Sequence, residues 1–241
     1  MPDWRARLAR CWRARSDRHA TTSVLVLGDS HVRVFEHWWF MWALPRVRWH
    51  IAYVPGGTAV GLANAASQTQ ARARFEEALA QVPHDLVLLN LGEVDTGYNI
   101  WARAAAGRAD PRALMLQAVS RYADFIQRVA SSHRLVVISA PLPTLPDDFV
   151  PGDEVGSTRK RVARSQAERT ALTLAFNDEV AARCAALGVP YLDDRAASLG
   201  PDGVVRREWQ QPERHDHHYD RKAYARWLAA ALKPHLDISA R

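Results

Sequence analysis

From residue 24 onward, short apolar runs alternate with longer stretches of helical periodicity. The apolar runs have the length of buried strands, and they fall at residues 24–27, 49–54, 85–91, 135–140 and 189–192. The stretches between them place apolar residues at helical spacing, which predicts helices over residues 32–39, 58–82, 110–132, 159–187 and 221–236. Strands that alternate with helices predict an α/β fold, in which helices cover both faces of a parallel sheet of about five strands.

Three longer segments depart from this alternation, at residues 96–109, 141–158 and 193–214. In parallel sheets, ligands bind beyond the carboxyl ends of the strands, and the loops there often carry function. We expect the three segments to emerge on that side. They either wall a substrate cleft or serve as ordinary connections.

The length of 241 residues fits one large α/β domain. We predict an Arg-rich N-terminal segment, residues 1–22, followed by a single domain, residues 23–241. The N-terminal segment lacks the apolar stretch of a secretory signal, and the chain nowhere holds the roughly 18 consecutive apolar residues of a spanning helix. A cytoplasmic protein without a transmembrane segment is therefore expected.

The composition of the chain narrows the range of partners. The net charge of +6 comes from arginines that are spread along the chain without a nucleic-acid-binding motif, so no nucleic-acid partner is predicted. The two cysteines, Cys11 and Cys184, have no metal spacing and predict no disulfide framework. Metal binding by His215, His217 and His218 would need further ligands that the sequence does not place. We predict no metal and no cofactor, and the oligomeric state stays open.

The sequence Gly28-Asp29-Ser30-His31 directly follows the first apolar run. This order predicts a strand-to-helix turn with the Ser30 hydroxyl near the N-terminus of the next helix. The amide donors and the positive dipole end found there favour developing negative charge, which a serine nucleophile and its oxyanion require. The alternative is structural: Asp29 or Ser30 caps the helix, and Gly28 permits the turn.

A serine nucleophile needs a base within hydrogen-bonding reach and a third group that orients this base. The sequence Asp216-His217-His218 stands just before the last predicted helix, where a loop would bring an imidazole over Ser30. The alternative is a solvated polar loop, or a helix start that is capped by Asp216 or Asp220.

Two further segments complete a pattern along the chain, Gly56-Gly57-Thr58 and Gly92-Glu93-Val94-Asp95. Together with the turn at Ser30 and with His218, they resemble the ordered sequence blocks of the SGNH, or GDSL-like, hydrolase superfamily. The resemblance spans nearly the whole chain. It implies a flavodoxin-like α/β/α sandwich and an activity among esterases, lipases and carbohydrate O-acyl hydrolases or transferases.

The resemblance also implies a role for each matched residue. Ser30 is the nucleophile, and its backbone amide donates to the oxyanion. Gly57 supplies a second amide to the oxyanion, with Gly56 and Gly61 as alternative registers. His218 is the general base.

The third block departs from the family pattern. The family has Gly-x-Asn-Asp, whose asparagine side chain donates to the oxyanion, and we place Asp95 at that asparagine. An ionised carboxylate only accepts hydrogen bonds. Asp95 is therefore expected to be protonated through desolvation, or to position an arginine or a loop, a task that Glu93 could share. The positioning role is the preferred interpretation.

The last block departs as well. The family's aspartate lies three residues before the histidine, where this chain has His215, and the nearest acid is Asp216. Asp216 can orient His218 if the loop is reshaped; otherwise a backbone carbonyl holds the imidazole, as in a dyad. His217 is a second candidate for the base, and further site candidates are Asp29, His31 and Glu93.

These residues predict a serine esterase or an O-acyltransferase that acts through an acyl-serine intermediate. The resemblance implies that the substrate is a small-molecule or glycan ester, with an acetyl ester of a carbohydrate as the expected case. The tryptophans that could offer flat faces to a sugar ring are Trp38, Trp39, Trp42 and Trp101. The two altered blocks support a rival hypothesis, a catalytically impaired domain of the same fold that binds a glycan or a protein partner.

Overall fold

The sheet of this protein contains five parallel strands. The computed structural model describes residues 21–64, 67–107, 109–152, 157, 159–160, 164–213 and 216–236. The strands are β1 (Thr22–Gly28), β2 (Val47–Tyr53), β3 (Leu86–Asn90), β4 (Leu135–Ile138) and β5 (Tyr191–Leu192). They pair in the order β2-β1-β3-β4-β5, and every pair is parallel. This is the strand order of flavodoxin-like sheets, so the predicted fold class is confirmed.

Helices cover both faces of the sheet. The α-helices are α1 (Trp38–Ala43), α2 (Ala71–Gln81), α3 (Ile100–Ala105), α4 (Pro111–Ala130), α5 (Gln166–Ala186), α6 (Arg195–Ser198) and α7 (Arg221–Leu232). Shorter 3-10 segments occur at Ser30–Glu36, Val60–Ala63, Arg207–Trp209 and Lys233–His235, and a π-helical turn occurs at Asp95–Asn99.

The two faces of the sheet bury two separate cores. Side chains alternate between the faces of a strand, so Leu25 and Leu27 of β1 pack with buried residues of α2, α4 and α5. Val24 and Val26 of the same strand point the other way and pack with buried residues of α1 and α7. The result is an α/β/α sandwich in which β1, the second strand of the sheet, is buried along both faces except at Ser23.

The two longest helices follow their sequence signals closely. Helix α4 begins after Asp110, whose side chain accepts from the amides of Arg112 and Ala113, with Pro111 in the first turn. Helix α5 begins after Ser165, which forms a capping box with Glu168. Its start lies seven residues later than the predicted one at residue 159 (166 against 159).

The other helix predictions are shorter in the structure. The helix predicted over residues 32–39 is divided at His37, which has extended backbone angles (φ −69°, ψ 136°) and caps α1. In the stretch 58–82, Gln70 adopts a left-handed conformation (φ 48°) directly before α2. Helix α7 ends at Leu232, and Pro234, which lacks an N–H, lies in the 3-10 turn that follows.

The segment 96–109, predicted as a loop, is largely helical. It contains most of the π-helical turn and all of α3. The Trp101 ring nitrogen donates to the Thr96 carbonyl at 2.6 Å, and the Thr96 hydroxyl donates to the Gly92 carbonyl at 3.0 Å. These side-chain contacts tie the helical segment to the end of β3.

The remaining expectations concern the two later connecting segments, the N-terminal segment and the presence of a membrane-spanning helix. The described part of segment 141–158 contains no strand through residue 152, whereas segment 193–214 includes α6 and a 3-10 turn. Of the N-terminal segment 1–22, only residues 21 and 22 are described, and Cys11 lies outside the described residues. Within the described ranges, no helix is both long and apolar enough to cross a membrane.

A substitution at Gly92, the first residue of the third block, tests how tightly the carboxyl end of β3 is packed. Its φ of +124° is unfavourable for other residues, and a Cβ there would collide with the Phe176 ring of α5. We expect Gly92→Ala to lower the free energy of unfolding by about 2–5 kcal/mol, because strain and overpacking act together. Urea denaturation measures this change.

The matched control is Gly107→Ala. Gly107 also has a positive φ (+70°), but a Cβ there meets no atom within 4 Å. Its expected cost is the backbone term alone, about 1–2 kcal/mol. Equal losses in the two variants would contradict the packing argument.

Candidate active site

Ser30 lies just beyond the carboxyl end of β1, the strand between β2 and β3, as the first residue of a 3-10 helix. The turn is tight, since a Cβ at Gly28 would collide with the Asn90 carbonyl oxygen of β3 and with Val32. The Asp29 carboxylate accepts from the His31 amide at 2.9 Å and caps this helix. Asp29 thus has the structural role that the sequence left open, while the Ser30 hydroxyl stays available for other contacts.

Ser30, His218 and Asp216 form a hydrogen-bonded chain. His218 Nε2 lies 2.9 Å from Ser30 Oγ, and His218 Nδ1 lies 2.7 Å from Asp216 Oδ1. The same carboxylate oxygen accepts from the His218 backbone amide at 2.9 Å. Because Asp216 can only accept, Nδ1 carries the proton and Nε2 is free to accept the serine proton.

Asp216 lies two residues before His218 in the sequence, whereas the family's aspartate lies three residues before its histidine. The Asp216 side chain folds back onto the backbone and ring of His218, which makes the shorter spacing workable. Burial alone would raise the pKa of Asp216, but the hydrogen bonds from the His218 ring and amide outweigh it and bring the pKa to about 2. Asp216 is therefore ionised at neutral pH and accepts the hydrogen bond from His218 Nδ1.

His217, the second candidate for the base, has a different environment. Its ring packs against the His218 ring, with centroids 4.1 Å apart. Burial, followed by the charge of Arg159, lowers the pKa of His217 to about 3. His217 is thus uncharged at neutral pH, and it is His218, not His217, that contacts Ser30.

A buried network of charged and hydrogen-bonded side chains comprises Arg159, Glu93, His31 and Asp29. Arg159 donates to both carboxylate oxygens of Glu93, each at 2.7 Å. Glu93 also approaches His31 Nε2 at 3.8 Å, and His31 Nδ1 lies 2.8 Å from Asp29 Oδ1. Although burial opposes the ionised form of Glu93, Arg159 holds the pKa of Glu93 far below its usual range. For His31, burial also opposes the charge, but Asp29 and Glu93 raise the pKa.

Sequence reasoning missed Arg159. The sequence predicts residue 159 at the start of a long helix, and 66 residues separate it from Glu93. An ion pair across such a distance leaves no periodic or local signal. Only the burial of Glu93, with 1% exposure of its side chain, indicates that a cationic partner is required.

The oxyanion assignment of Gly57 is corrected by the structure. The Gly57 amide donates to the Val54 carbonyl at 2.9 Å and closes a turn, so it is not free to bind a ligand. Gly56, the alternative register, lines the same cleft as Ser30. No hydrogen bond within the described part of the chain engages the Gly56 amide. The sequence could not decide between two adjacent glycines because turn geometry determines which amide faces outward.

The assignment of Asp95 to the family's asparagine is corrected as well. Counted from Gly92, the asparagine position is occupied by Val94, and Asp95 corresponds to the aspartate after it. Val94 lines the cleft, whereas the Asp95 carboxylate is fully buried and accepts from the Ala59 and Val60 amides at 2.6 and 3.2 Å. Burial raises the pKa of Asp95 to about 7 despite these two bonds. Asp95 therefore positions the segment after β2 and does not face the cleft.

The cleft beside Ser30 and His218 has a volume of about 950 Å³. Its walls come from the segment after β2, the helical segment after β3, helix α4 and residues near the histidines. None of the four tryptophans that were candidates for sugar stacking lines it. Trp38 and Trp42 are 53% and 63% exposed on α1, while Trp101 is buried against Thr96.

Three histidines could offer nitrogen ligands to a metal ion. The available atoms of His31, His217 and His218 lie within 4.8 Å of one another, and His215 lies outside the described residues. Both nitrogens of His218, however, already contact Asp216 and Ser30. A cation at this position would displace the Ser30 hydroxyl, so the arrangement fits proton transfer from Ser30 better than metal binding.

The comparisons with known proteins concern the fold. No family model and no curated protein matches the sequence. A GDSL-like lipase from Bacteroides thetaiotaomicron aligns with a TM-score of 0.59 at 13% identity, over 94% of this chain and 96% of its own. The acetyl xylan esterase AlAXEase aligns with a TM-score of 0.53 at 12% identity, over 88% and 98%. The resemblance to GDSL-like hydrolases is thus confirmed at the level of the fold.

Replacing Asp95 by asparagine tests its positioning role. Asparagine offers one acceptor oxygen, so the amide of Ala59 or Val60 loses its buried partner, which costs about 1–3 kcal/mol. We expect Asp95→Asn to lower the thermal midpoint, as the cleft wall loosens. Calorimetry measures this shift.

The matched control is Asp110→Asn. Asp110 also accepts from two backbone amides, but at an exposed helix start, where asparagine caps equally well. Its stability is expected to stay within about 0.5 kcal/mol of the wild type. An Asp95→Asn protein as stable as the wild type would contradict the positioning role.

Proposed function

We propose that this protein is a serine esterase of the SGNH type. The observation that carries the proposal is the hydrogen-bonded chain Ser30–His218–Asp216 at the edge of the cleft. A serine hydroxyl with a neutral imidazole as acceptor, and a carboxylate that fixes the imidazole tautomer, is the arrangement that nucleophilic ester cleavage requires. The shared fold of GDSL-like hydrolases supports it.

The first half of the reaction forms an acyl-enzyme. Ser30 Oγ attacks the ester carbonyl carbon while His218 Nε2 takes the hydroxyl proton, and the carbonyl oxygen becomes an oxyanion. The backbone amides of Ser30 and Gly56 are the proposed donors to this oxyanion. Collapse of the tetrahedral intermediate breaks the bond to the alcohol, which leaves with the proton from His218. Asp216 stabilises the imidazolium throughout.

The second half of the reaction releases the acyl group. Water, deprotonated by His218, attacks the acyl-serine and regenerates Ser30 with a free carboxylic acid. A sugar hydroxyl in place of water would make the protein an O-acyltransferase. We favour an acetyl ester of a carbohydrate as the substrate, because several hydroxyl and amide side chains line the cleft.

Val94 sets a limit on the expected rate. An apolar side chain at the asparagine position removes a donor to the oxyanion, and such a loss typically lowers kcat by about 10²–10³. The same observation favours the second candidate function, a binding domain for a glycan or a protein. The two functions differ in one property, the reactivity of Ser30.

Covalent labelling measures this reactivity directly. After incubation with a fluorophosphonate, we expect one adduct in the intact mass, located on Ser30, because His218 activates only this hydroxyl. Ser30→Ala should keep its fold, form no adduct and lose turnover of 4-nitrophenyl acetate. The control, Ser131→Ala, removes an exposed hydroxyl at the end of α4 and should label like the wild type. An unlabelled wild-type protein would favour the binding domain.

Replacing Asp216 by asparagine tests the orienting acid. The amide no longer forces the proton onto His218 Nδ1, and a comparable change in a well-studied triad lowers kcat by about 10⁴. We expect a loss of about 10²–10⁴ in kcat, with fluorophosphonate labelling slowed in proportion. Stopped assays on the wild type and on Asp216→Asn measure these rates.

The control for this change is Asp220→Asn. Asp220 lies four residues further on and caps α7 by accepting from the Ala223 amide. Asparagine caps equally well, so activity should be retained. If the Asp216→Asn protein is as active as the wild type, the site functions as a serine–histidine dyad without the orienting acid.

A further inference from the structure

We propose that the substrate carries an anionic group, a carboxylate or a phosphate, which Arg103 and Arg121 bind in the cleft beside Ser30. This inference names the substrate class of the proposed esterase site and rests on that function for its kinetic test. Both arginines line the same cleft as Ser30 and His218. The anionic group would lie on the part of the ester that occupies this cleft.

The two arginines are held in place by uncharged partners. Arg121, from α4, donates to the Val60 carbonyl at 3.2 Å, and Arg103, from α3, donates to the Gln117 side chain of α4 at 3.0 Å. Neither guanidinium forms an ion pair within the described part of the chain. Both are half-buried, and each uses one donor in its hydrogen bond, which leaves further donors for a ligand. A planar guanidinium suits carboxylate and phosphate oxygens.

The cleft contains no compensating negative charge among its described lining residues. Its polar side chains include hydroxyls and amides, and no aspartate or glutamate lines it. Arg159 also reaches the cleft, but its charge is balanced by Glu93 through two hydrogen bonds. Asp95 lies buried behind the wall, and its pKa of about 7 leaves it only partly ionised at neutral pH. The net charge of the cleft is therefore positive.

The remaining lining fits a hydroxyl-rich ligand. Thr58, Ser67, Gln68, Tyr98 and Asn99 line the cleft with groups that donate and accept. A lipid chain would leave these groups without partners, which is costly. The combination of two unpaired arginines with many hydroxyl and amide groups points to an ester of an acidic sugar or of a sugar phosphate.

The kinetic test compares two acetyl esters that differ in one charge, 4-acetoxybenzoate and its methyl ester. The measured quantity is the ratio of kcat/KM for the anionic ester to kcat/KM for the neutral ester. We expect Arg103→Gln and Arg121→Gln each to lower this ratio about tenfold or more, as for the loss of a hydrogen bond to a charged group. Added salt should lower the ratio in the wild type.

The control variant is Arg128→Gln. Arg128 lies two turns beyond Arg121 on α4, is 55% exposed and faces Glu76 at 3.6 Å, outside the cleft. Its ratio should equal that of the wild type. A ratio that is the same in all four proteins and insensitive to salt would overturn the proposal, even if both esters are hydrolysed.

A binding test separates this proposal from the catalytic one. Ser30→Ala protein is titrated with D-glucuronate, D-glucose 6-phosphate and D-glucose, with binding followed by ligand-observed NMR. We expect at least one anion to bind more tightly than glucose, with the preferred anion identifying a carboxylate or a phosphate site. The preference should fall about tenfold when Arg103→Gln is added. Equal binding of all three sugars would overturn the proposal, whether or not the wild-type enzyme turns over.

Discussion

The burial of negative charge at the carboxyl edge of the sheet is the constraint on which the rest of this structure depends. Asp29, Glu93, Asp95 and Asp194 follow the ends of β1, β3 and β5, and each is at most 1% exposed. A buried carboxylate is costly unless it is paired or protonated. Asp29 is paired with His31, and Glu93 is paired with Arg159. Asp95 accepts from two backbone amides. Asp194 holds a proton, since burial raises its pKa to about 8.

These solutions also shape the cleft. Because Arg159 is paired with Glu93, the positive charge available to a ligand in the cleft lies on Arg103 and Arg121. Because Asp95 binds two amides of the segment after β2, that wall is fixed relative to the end of β3. Residues that stabilise the fold and residues that line the cleft are therefore neighbours in sequence. Asp95 binds two backbone amides, and Val94 beside it lines the cleft.

The sequence predicted the architecture well because the strands β1, β3 and β4 are buried on both faces and contain distinct apolar runs. It also pointed to Ser30, His218 and Asp216, which the structure brings together, since a turn after a strand and a polar cluster before a helix are local signals. It could not identify Arg159, whose partner is distant in the chain. Nor could it choose between Gly56 and Gly57, because only the backbone conformation decides which amide faces the cleft.

The separation of Ser30 and His218 by 188 residues has a consequence for the timing of synthesis. At typical translation rates, about 10–40 s pass between the incorporation of the two residues. During this interval a nascent chain can complete β1 and the turn that follows it, yet Ser30 has no imidazole to accept its proton. The serine of a ribosome-bound chain therefore carries an ordinary hydroxyl, and its hydrogen bond with His218 forms only when the C-terminal segment packs onto the sheet.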